Sequence, residues 1–454
     1  MMRLSVRNVA RHSMSKRVLS AIGILGGAQS VTILCSLVRV KLIALWIGAA
    51  GVGLFGLYNT AIELIASVTQ FNMRSAAVRD IASSRPPVVA RIFTALRRWA
   101  WFLGLLGAFL TLVSAPALSR WTFGDDAHSG GFMWLSVVLL ISSLTGGELA
   151  IMQGCGMLRR LARASLWGAA GGLALSVPLF YFFRIDSVVP SIAVYALATL
   201  IAALFVRERP EKVSVSCRDT VSAGVGFIKL GAWMTVSSFA AVLAQYAIIA
   251  YINARGGMAE TGYFQAGYTL VNRCVAVLFA AIGMEFYPRM ASAVRSRRTT
   301  SVYVSHEIAV ISALLIPVVL LFVVFRHFIV WLLYTPDFYC IETYISWAVA
   351  GMPFRAVGWC MAYVILARGD GIVYLFTEVT SALVYYFMTV LLYNGYGLDG
   401  AGYAYIIWYA VYMCITGGVY FGRYGMRLSS RSAWLVAASS IAGVLSVLAV
   451  GMSG

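Results

Sequence analysis

CSLVRVKLIALWIG, residues 35–48, closes a long apolar run yet carries two cations, Arg39 and Lys41. The reading of this stretch decides the fold. A run of roughly 20 apolar residues fits a helix crossing a hydrocarbon core about 30 Å thick. A cation near the centre of such a span costs a few kcal/mol or more. Something in the protein must hold both of them there.

The surrounding chain supports the membrane reading. Of its 454 residues, 61% are hydrophobic and 11% charged, and the mean hydropathy is +0.84. A soluble domain is about a quarter charged. This is the composition of an integral membrane protein with most of its length in the bilayer. The N-terminal MMRLSVRNVARHSMSKR is basic, and the run after it is too long for the apolar core of a cleaved signal peptide. It reads as the first helix of the mature protein. The seven cysteines have no Cys-x-x-Cys pair or metal-ligand spacing and read as small core residues.

The expected spans are 18–46, 52–72, 98–118, 132–154, 162–182, 187–206, 223–252, 261–288, 304–325, 341–366, 372–393 and 400–422. A further apolar run, 434–451, either crosses the membrane or lies against it. The fold class is therefore all-α and polytopic, with twelve core helices and a possible thirteenth. The chain divides into an N-terminal six-helix lobe (1–206), a charged inter-lobe loop (207–222), a C-terminal six-helix lobe (223–425) and an extra hydrophobic helix (426–454).

The net charge of +18 suggests nucleic acid until the cations are placed. With the N-terminus in the cytoplasm, 26 of the 35 Lys and Arg residues fall in cytoplasmic segments. The opposite side holds Arg120, Arg184, Arg255 and Arg326. The positive-inside rule fixes this orientation and explains the basic balance without nucleic acid. The segment 73–98, MRSAAVRDIASSRPPVVARIFTALRR, is basic and partly amphipathic, and reads as a helix on the cytoplasmic surface.

An internal repeat connects the two halves. Gly53-Leu54-Phe55 aligns with Gly262-Tyr263-Phe264 at an offset of 209 residues. Gln153-Gly154-Cys155-Gly156 aligns with Arg368-Gly369-Asp370-Gly371 at an offset of 215. Six spans per half keep both repeats in the same orientation, giving a pseudo-twofold axis along the membrane normal.

Some charges stay inside the spans. Arg39 and Lys41 are two residues apart, about 200° around a helix. One points inward, with Arg39 favoured. The other packs in an interhelical seam or snorkels toward the interface near Trp46. Arg273 and Arg355 lie near the middles of spans eight and ten. Glu63 is mid-span, and Glu148 and Glu378 lie in the cytoplasmic halves of spans four and eleven. Intramembrane charges face the bundle interior or water and pair there. Surplus arginine predicts an anionic ligand, because guanidinium binds phosphate through paired hydrogen bonds and stays charged when desolvated. The three carboxylates are either counter-charges or carriers of a coupling proton or sodium ion. The rival reading makes every one of these charges a structural salt bridge. The tyrosines Tyr385, Tyr386, Tyr403, Tyr405, Tyr409 and Tyr412 read as packing or interface belts before a sugar platform. GVGLFG lacks the strand and helix context of a nucleotide loop, and no Walker lysine motif, HExxH or nucleophile elbow is present.

GAAGVGLFGLYNTAIELI (48–65), preceded by VKLIALWIG (40–48) and followed by AAVRDIA (76–82), resembles the start of a Wzx-type flippase of O-antigen or other lipid-linked oligosaccharides. The resemblance continues through ETGYFQAGYTLVNR (260–273), Arg355, YLFTEVTSAL (374–383) and GLDGAGYAYIIWY (397–409). It places the chain in the polysaccharide branch of the MOP superfamily, beside MATE exporters and lipid II flippases. It implies two six-helix lobes forming a V around a central cationic cavity. It implies undecaprenyl-pyrophosphate-linked sugar units as substrate, carried to the periplasmic leaflet of the bacterial inner membrane by alternating access. By position Lys41, Arg79, Asn272, Arg355 and Glu378 match polar positions of the family, while Arg74 stands where a small residue is usual. The expected substrate-binding set is Arg39, Lys41, Arg79, Arg273 and Arg355. No catalytic residue, metal or cofactor is expected, only coupling to a proton or sodium gradient. Membrane lipids, and through the resemblance a polysaccharide polymerase and glycosyltransferases, are the expected partners. A lipid II flippase and a MATE-type drug exporter are the alternatives. A polymerase would want a large periplasmic loop, and every outer loop expected here is short.

Overall fold

In the computed structural model, residues 26–70, 73–83, 86–208, 216–293 and 296–451 are described. The N-terminal tail with residues 18–25 of the first expected span, and residues 209–215 of the inter-lobe loop, lie outside them. The described residues are helical, without strands. The helices are α1 (Gly26–Trp46), α2 (Ala49–Thr69), α3 (Met73–Ser83), α4 (Pro86–Phe123), α5 (Ser129–Gly154), α6 (Leu158–Phe183) and α7 (Val188–Phe205). They continue as α8 (Cys217–Ala293), α9 (Arg297–Val324), α10 (Arg326–Leu333), α11 (Glu342–Ala350), α12 (Met352–Ala367), α13 (Gly371–Gly418) and α14 (Ser430–Gly451). Among the described residues, nine helical stretches are long and apolar enough to cross a membrane. Several of them contain more than one crossing length. Expected spans seven and eight share α8, where Gly257 (φ +78°, ψ −178°) breaks the helix, and spans eleven and twelve share α13, broken at Gly397 (φ +58°, ψ −138°). A side chain at such a positive φ is strained, so glycine places these breaks.

Contacts divide the chain into two units. The first comprises residues 1–39, 69–115 and 130–231, and the second 40–68, 116–129 and 232–454. Within the first, α6 packs along α7, and α3 lays Met73, Ala77 and Ile81 against Phe93, Leu96 and Ala100 of α4 and Ile151 of α5. This corrects the expectation of one surface helix over 73–98. The described chain resumes at Pro86, and from there α4 runs without interruption to Phe123, so Arg91, Arg97 and Arg98 belong to a transmembrane helix. Within the second unit, α12 packs on α13, α9 on α14, and α11 on α13. The cysteines are more varied than small core residues. Cys360 is buried, while Cys340 and Cys414 are exposed, and these three, with Cys35 and Cys155, are free thiols.

The second unit contains the clearest sign of the repeat. A Cβ on Gly53 would meet the Met258 carbonyl and come within 2.8 Å of the Gly262 nitrogen. A Cβ on Gly262 would in turn meet the Ala49 carbonyl and come within 3.1 Å of the Gly53 nitrogen. Met258 and Gly262 are Ala49 and Gly53 advanced by the 209-residue offset, so each member of the pair makes the other's contact. Reciprocal contact of this kind is what a twofold relation produces. Gly48 and Gly257, related by the same offset, both have left-handed backbone (φ +87° and +78°). The second alignment needs correcting by two residues. The left-handed glycines are Gly156 (φ +68°) and Gly369 (φ +77°). At the first turn Gly156 N–H donates to Gln153 O, and Met157 N–H to Met152 O. At the other, Gly369 N–H donates to Leu366 O, and Asp370 N–H to Ile365 O. Both are helix ends closed by a glycine and a six-to-one hydrogen bond. The glycine that closes the helix defines the equivalence, and the offset there is the 213 residues between Gly156 and Gly369.

Candidate functional site

The deep charges separate into two kinds. In the first unit they are paired. Arg97 Nε and Nη2 donate to the two oxygens of Glu148 at 2.7 and 2.8 Å, and Nη2 also donates to the Glu208 carbonyl at 2.8 Å. Arg160 pairs with the Glu208 carboxylate. Glu148 is buried at 7% exposure, so its charge is tolerated only because a guanidinium meets it edge-on. Of the three carboxylates expected as counter-charges or carriers, Glu148 pairs with Arg97, an arginine expected on a cytoplasmic-surface helix. Arg39 is also in this unit and is 6% exposed. Its Nη2 donates to the Ser191 carbonyl at 2.8 Å, and its guanidinium lies 4.6 Å from the centre of the Tyr195 ring. It sits in the seam between α1 and α7. Lys41 is anchored separately: its Nζ donates to the Leu332 carbonyl at 2.5 Å, at the end of α10 in the second unit. The two cations of the opening stretch thus each have a backbone carbonyl. The Arg79 side chain lies outside the described residues.

The second unit holds its charges differently. Arg355 projects from α12, half-buried. Its Nη1 donates to Asn272 Oδ1 at 2.7 Å and to the Tyr405 hydroxyl at 3.4 Å. Tyr405 also donates to Asn272 Oδ1 at 3.3 Å. The guanidinium lies over the rings of Tyr409 (5.2 Å) and Phe279 (5.4 Å). These partners are all neutral. An amide oxygen, a hydroxyl and ring faces orient the guanidinium and compensate part of its desolvation without cancelling its charge. No carboxylate among the described residues comes within ion-pair distance of it. Aromatic packing fixes the geometry: Tyr385 stacks on Trp408 at 3.9 Å, Trp408 on Tyr409 at 4.2 Å, and Tyr405 meets Tyr409 edge-on at 5.0 Å. Tyr405 and Tyr409 meet the guanidinium, and Tyr385 and Trp408 pack against them.

Glu63 on α2 and Arg273 on α8 are exposed side chains within electrostatic reach of each other. Tyr268, one helical turn before Asn272, is within reach of both Glu63 and Arg355. A charge exposed at mid-span depth faces a water-filled space rather than lipid. Glu378 is half-buried and accepts a hydrogen bond from the Tyr412 hydroxyl at 2.9 Å, with no ion-pair partner among the described residues. The structure therefore gathers Glu63, Arg273, Arg355 and Glu378 into one unit, and leaves Arg39 and Glu148 in the other. Sequence reasoning missed Tyr405 and Tyr409 as guanidinium partners. It gave Asn272 a place only through resemblance. The four-residue spacing of Tyr405 and Tyr409 was a signal that the two rings share one helix face.

The fold is like that of solved transporters of the MOP superfamily. An inward-facing multidrug resistance MATE family transporter of that superfamily superposes with a TM-score of 0.72 at 15% identity, over 87% of this chain and 94% of that one. The lipid II flippase MurJ in an inward closed conformation superposes with a TM-score of 0.64 at 12% identity, over 93% and 97%. By sequence, residues 42–341 match the model of the polysaccharide biosynthesis protein family, and the chain belongs to that family. Relatives described as lipid III flippases, from Escherichia coli (strain K12) and Shigella flexneri, are 20% identical over 84% of this chain and 92% of their own length. These relatives and neighbours are flippases and transporters.

Proposed function

We propose that this chain flips a lipid-linked oligosaccharide precursor across the bacterial inner membrane, from the cytoplasmic to the periplasmic leaflet. The cargo of this reading is an undecaprenyl-pyrophosphate-linked repeat unit of O-antigen or a related surface polysaccharide. The observation that carries it is Arg355, a guanidinium fixed by neutral partners and left with its full charge for an anion. Pyrophosphate is the anion that such a cargo presents, and guanidinium is suited to it by geometry. Arg273 adds a second cation to the same unit. The polyprenyl tail stays in lipid while alternating access carries the head group. The N-terminus faces the cytoplasm, as the distribution of cations requires, and a surface-polysaccharide polymerase takes the exported product. The family match and the lipid III flippase relatives support the reading.

One observation favours a second reading. Among the described residues Glu378 has a hydroxyl partner but no cation, as a carrier of a coupling proton or sodium ion would, and that arrangement also suits an ion-coupled drug exporter of the MATE type. The unpaired Arg355 favours anionic cargo. Deleting the gene and assaying the leaflet that holds the lipid-linked repeat unit separates the two. Accumulation in the cytoplasmic leaflet with loss of surface glycan is expected. Normal surface glycan with altered drug sensitivity would overturn the flippase reading.

A further inference from the structure

Far along the second unit from Arg355 in sequence, a cavity of ≈ 730 Å³ lies between the first turns of α9 and the segment leading into α14. Arg297, Arg298, Arg427, Arg431 and His306 line it. Val302, Val310 and Leu435 add apolar wall to the same cavity. No carboxylate lines it, and none of the four arginines has an ion-pair partner among the described residues.

The four arginines are exposed, and the two segments that carry them are tied together. Ser305 of α9 accepts the Ser429 N–H on its hydroxyl at 3.0 Å and the Ser432 hydroxyl on its carbonyl at 2.7 Å. Ser301 accepts the Arg427 N–H at 3.4 Å. These bonds tie the segment carrying Arg427 and Arg431 to the helix carrying Arg297 and Arg298. Four like charges fastened around one cavity repel each other unless an anion shares them. The adjoining apolar wall sets the kind of anion. A free inorganic ion leaves that wall uncovered, whereas a phosphate carrying a hydrocarbon chain covers it. Basic pockets between transmembrane helices at a membrane surface suit anionic lipid head groups.

We infer that this pocket is a binding site for an anionic membrane phospholipid. The phosphodiester sits among Arg297, Arg298, Arg427 and Arg431, and an acyl chain runs along Val302, Val310 and Leu435. The site is separate from Arg355, and the inference does not depend on the cargo proposed above.

The test is native mass spectrometry of the full-length protein, delipidated in detergent and titrated with dioleoyl-phosphatidylglycerol or dioleoyl-phosphatidylcholine. The wild type should favour phosphatidylglycerol by about a hundredfold or more, since each of the four basic residues near an anionic head group contributes about fivefold. Single variants R297Q, R298Q, R427Q and R431Q should each lose about fivefold of that preference, and the quadruple variant should lose all of it. R159Q/R163Q, which removes two exposed arginines of the first unit, should keep it. The single variants carry the test if the quadruple variant does not fold. An unchanged preference in all of them would overturn the inference. So would binding of inorganic phosphate without preference between the lipids, or retention of undecaprenyl phosphate without retention of phosphatidylglycerol.

Discussion

Arg97 and Arg355 are both arginines of long apolar helices, and their surroundings assign them opposite work. Arg97 meets the buried Glu148 through two short hydrogen bonds, so both charges are satisfied within the first unit. Arg355 meets an amide, a hydroxyl and two ring faces, so its charge remains available. A count of intramembrane charges cannot separate a lock from a binding group. The identity of the partner can. A carboxylate partner makes the arginine a fastener, whereas neutral partners leave its charge uncancelled, as the proposed anion-binding role needs.

The comparison breaks most readily at the lock. Glu148→Ala strands the Arg97 charge and should cost about 3–5 kcal/mol of stability, seen as lost folded protein in membranes. Replacing both partners with apolar residues of similar size should recover most of that loss. At the receptor, Arg355→Ala should leave folded protein unchanged and lower glycan export by about a hundredfold, the worth of a charged hydrogen-bonding partner. Arg355→Lys, which keeps the charge and loses the planar fork, should fall between. Export can be read as surface glycan against lipid-linked precursor. Gly262→Val drives a side chain into the Ala49 carbonyl across the α2–α8 contact and should cost about 1–3 kcal/mol by overpacking, measured as a lowered melting temperature in detergent. The smallest effect is expected at Tyr412→Phe, which deletes the Glu378 hydrogen bond at about 1 kcal/mol. It should leave export intact at saturating cargo while shifting its dependence on pH or sodium.

The membrane class and most helices were legible in the sequence, because a bilayer demands long apolar runs and little else produces them. The repeat was legible at Gly53 and Gly262, where only glycine permits the approach. It was misaligned by two residues at Gly154 and Gly156, because the string of letters does not say which glycine closes the helix. Arg97 was misplaced for a related reason: hydropathy begins the span at residue 98, while α4 begins at Pro86 and carries its arginines into the helix. Arg355 was legible as an intramembrane cation. Its partners were not, since Asn272 and Tyr405 lie 83 and 50 residues away along the chain. The same holds for Arg39, whose Ser191 and Tyr195 partners on α7 appear only on folding.

The most direct test of the central claim places Arg355→Ala and Glu148→Ala side by side in cells lacking the native gene. Folded protein in the membrane and lipid-linked glycan in each leaflet would be measured for both. The account predicts that Arg355→Ala is folded and leaves glycan in the cytoplasmic leaflet, while Glu148→Ala is depleted and its residual protein still exports. Full export by Arg355→Ala at normal protein levels would contradict it.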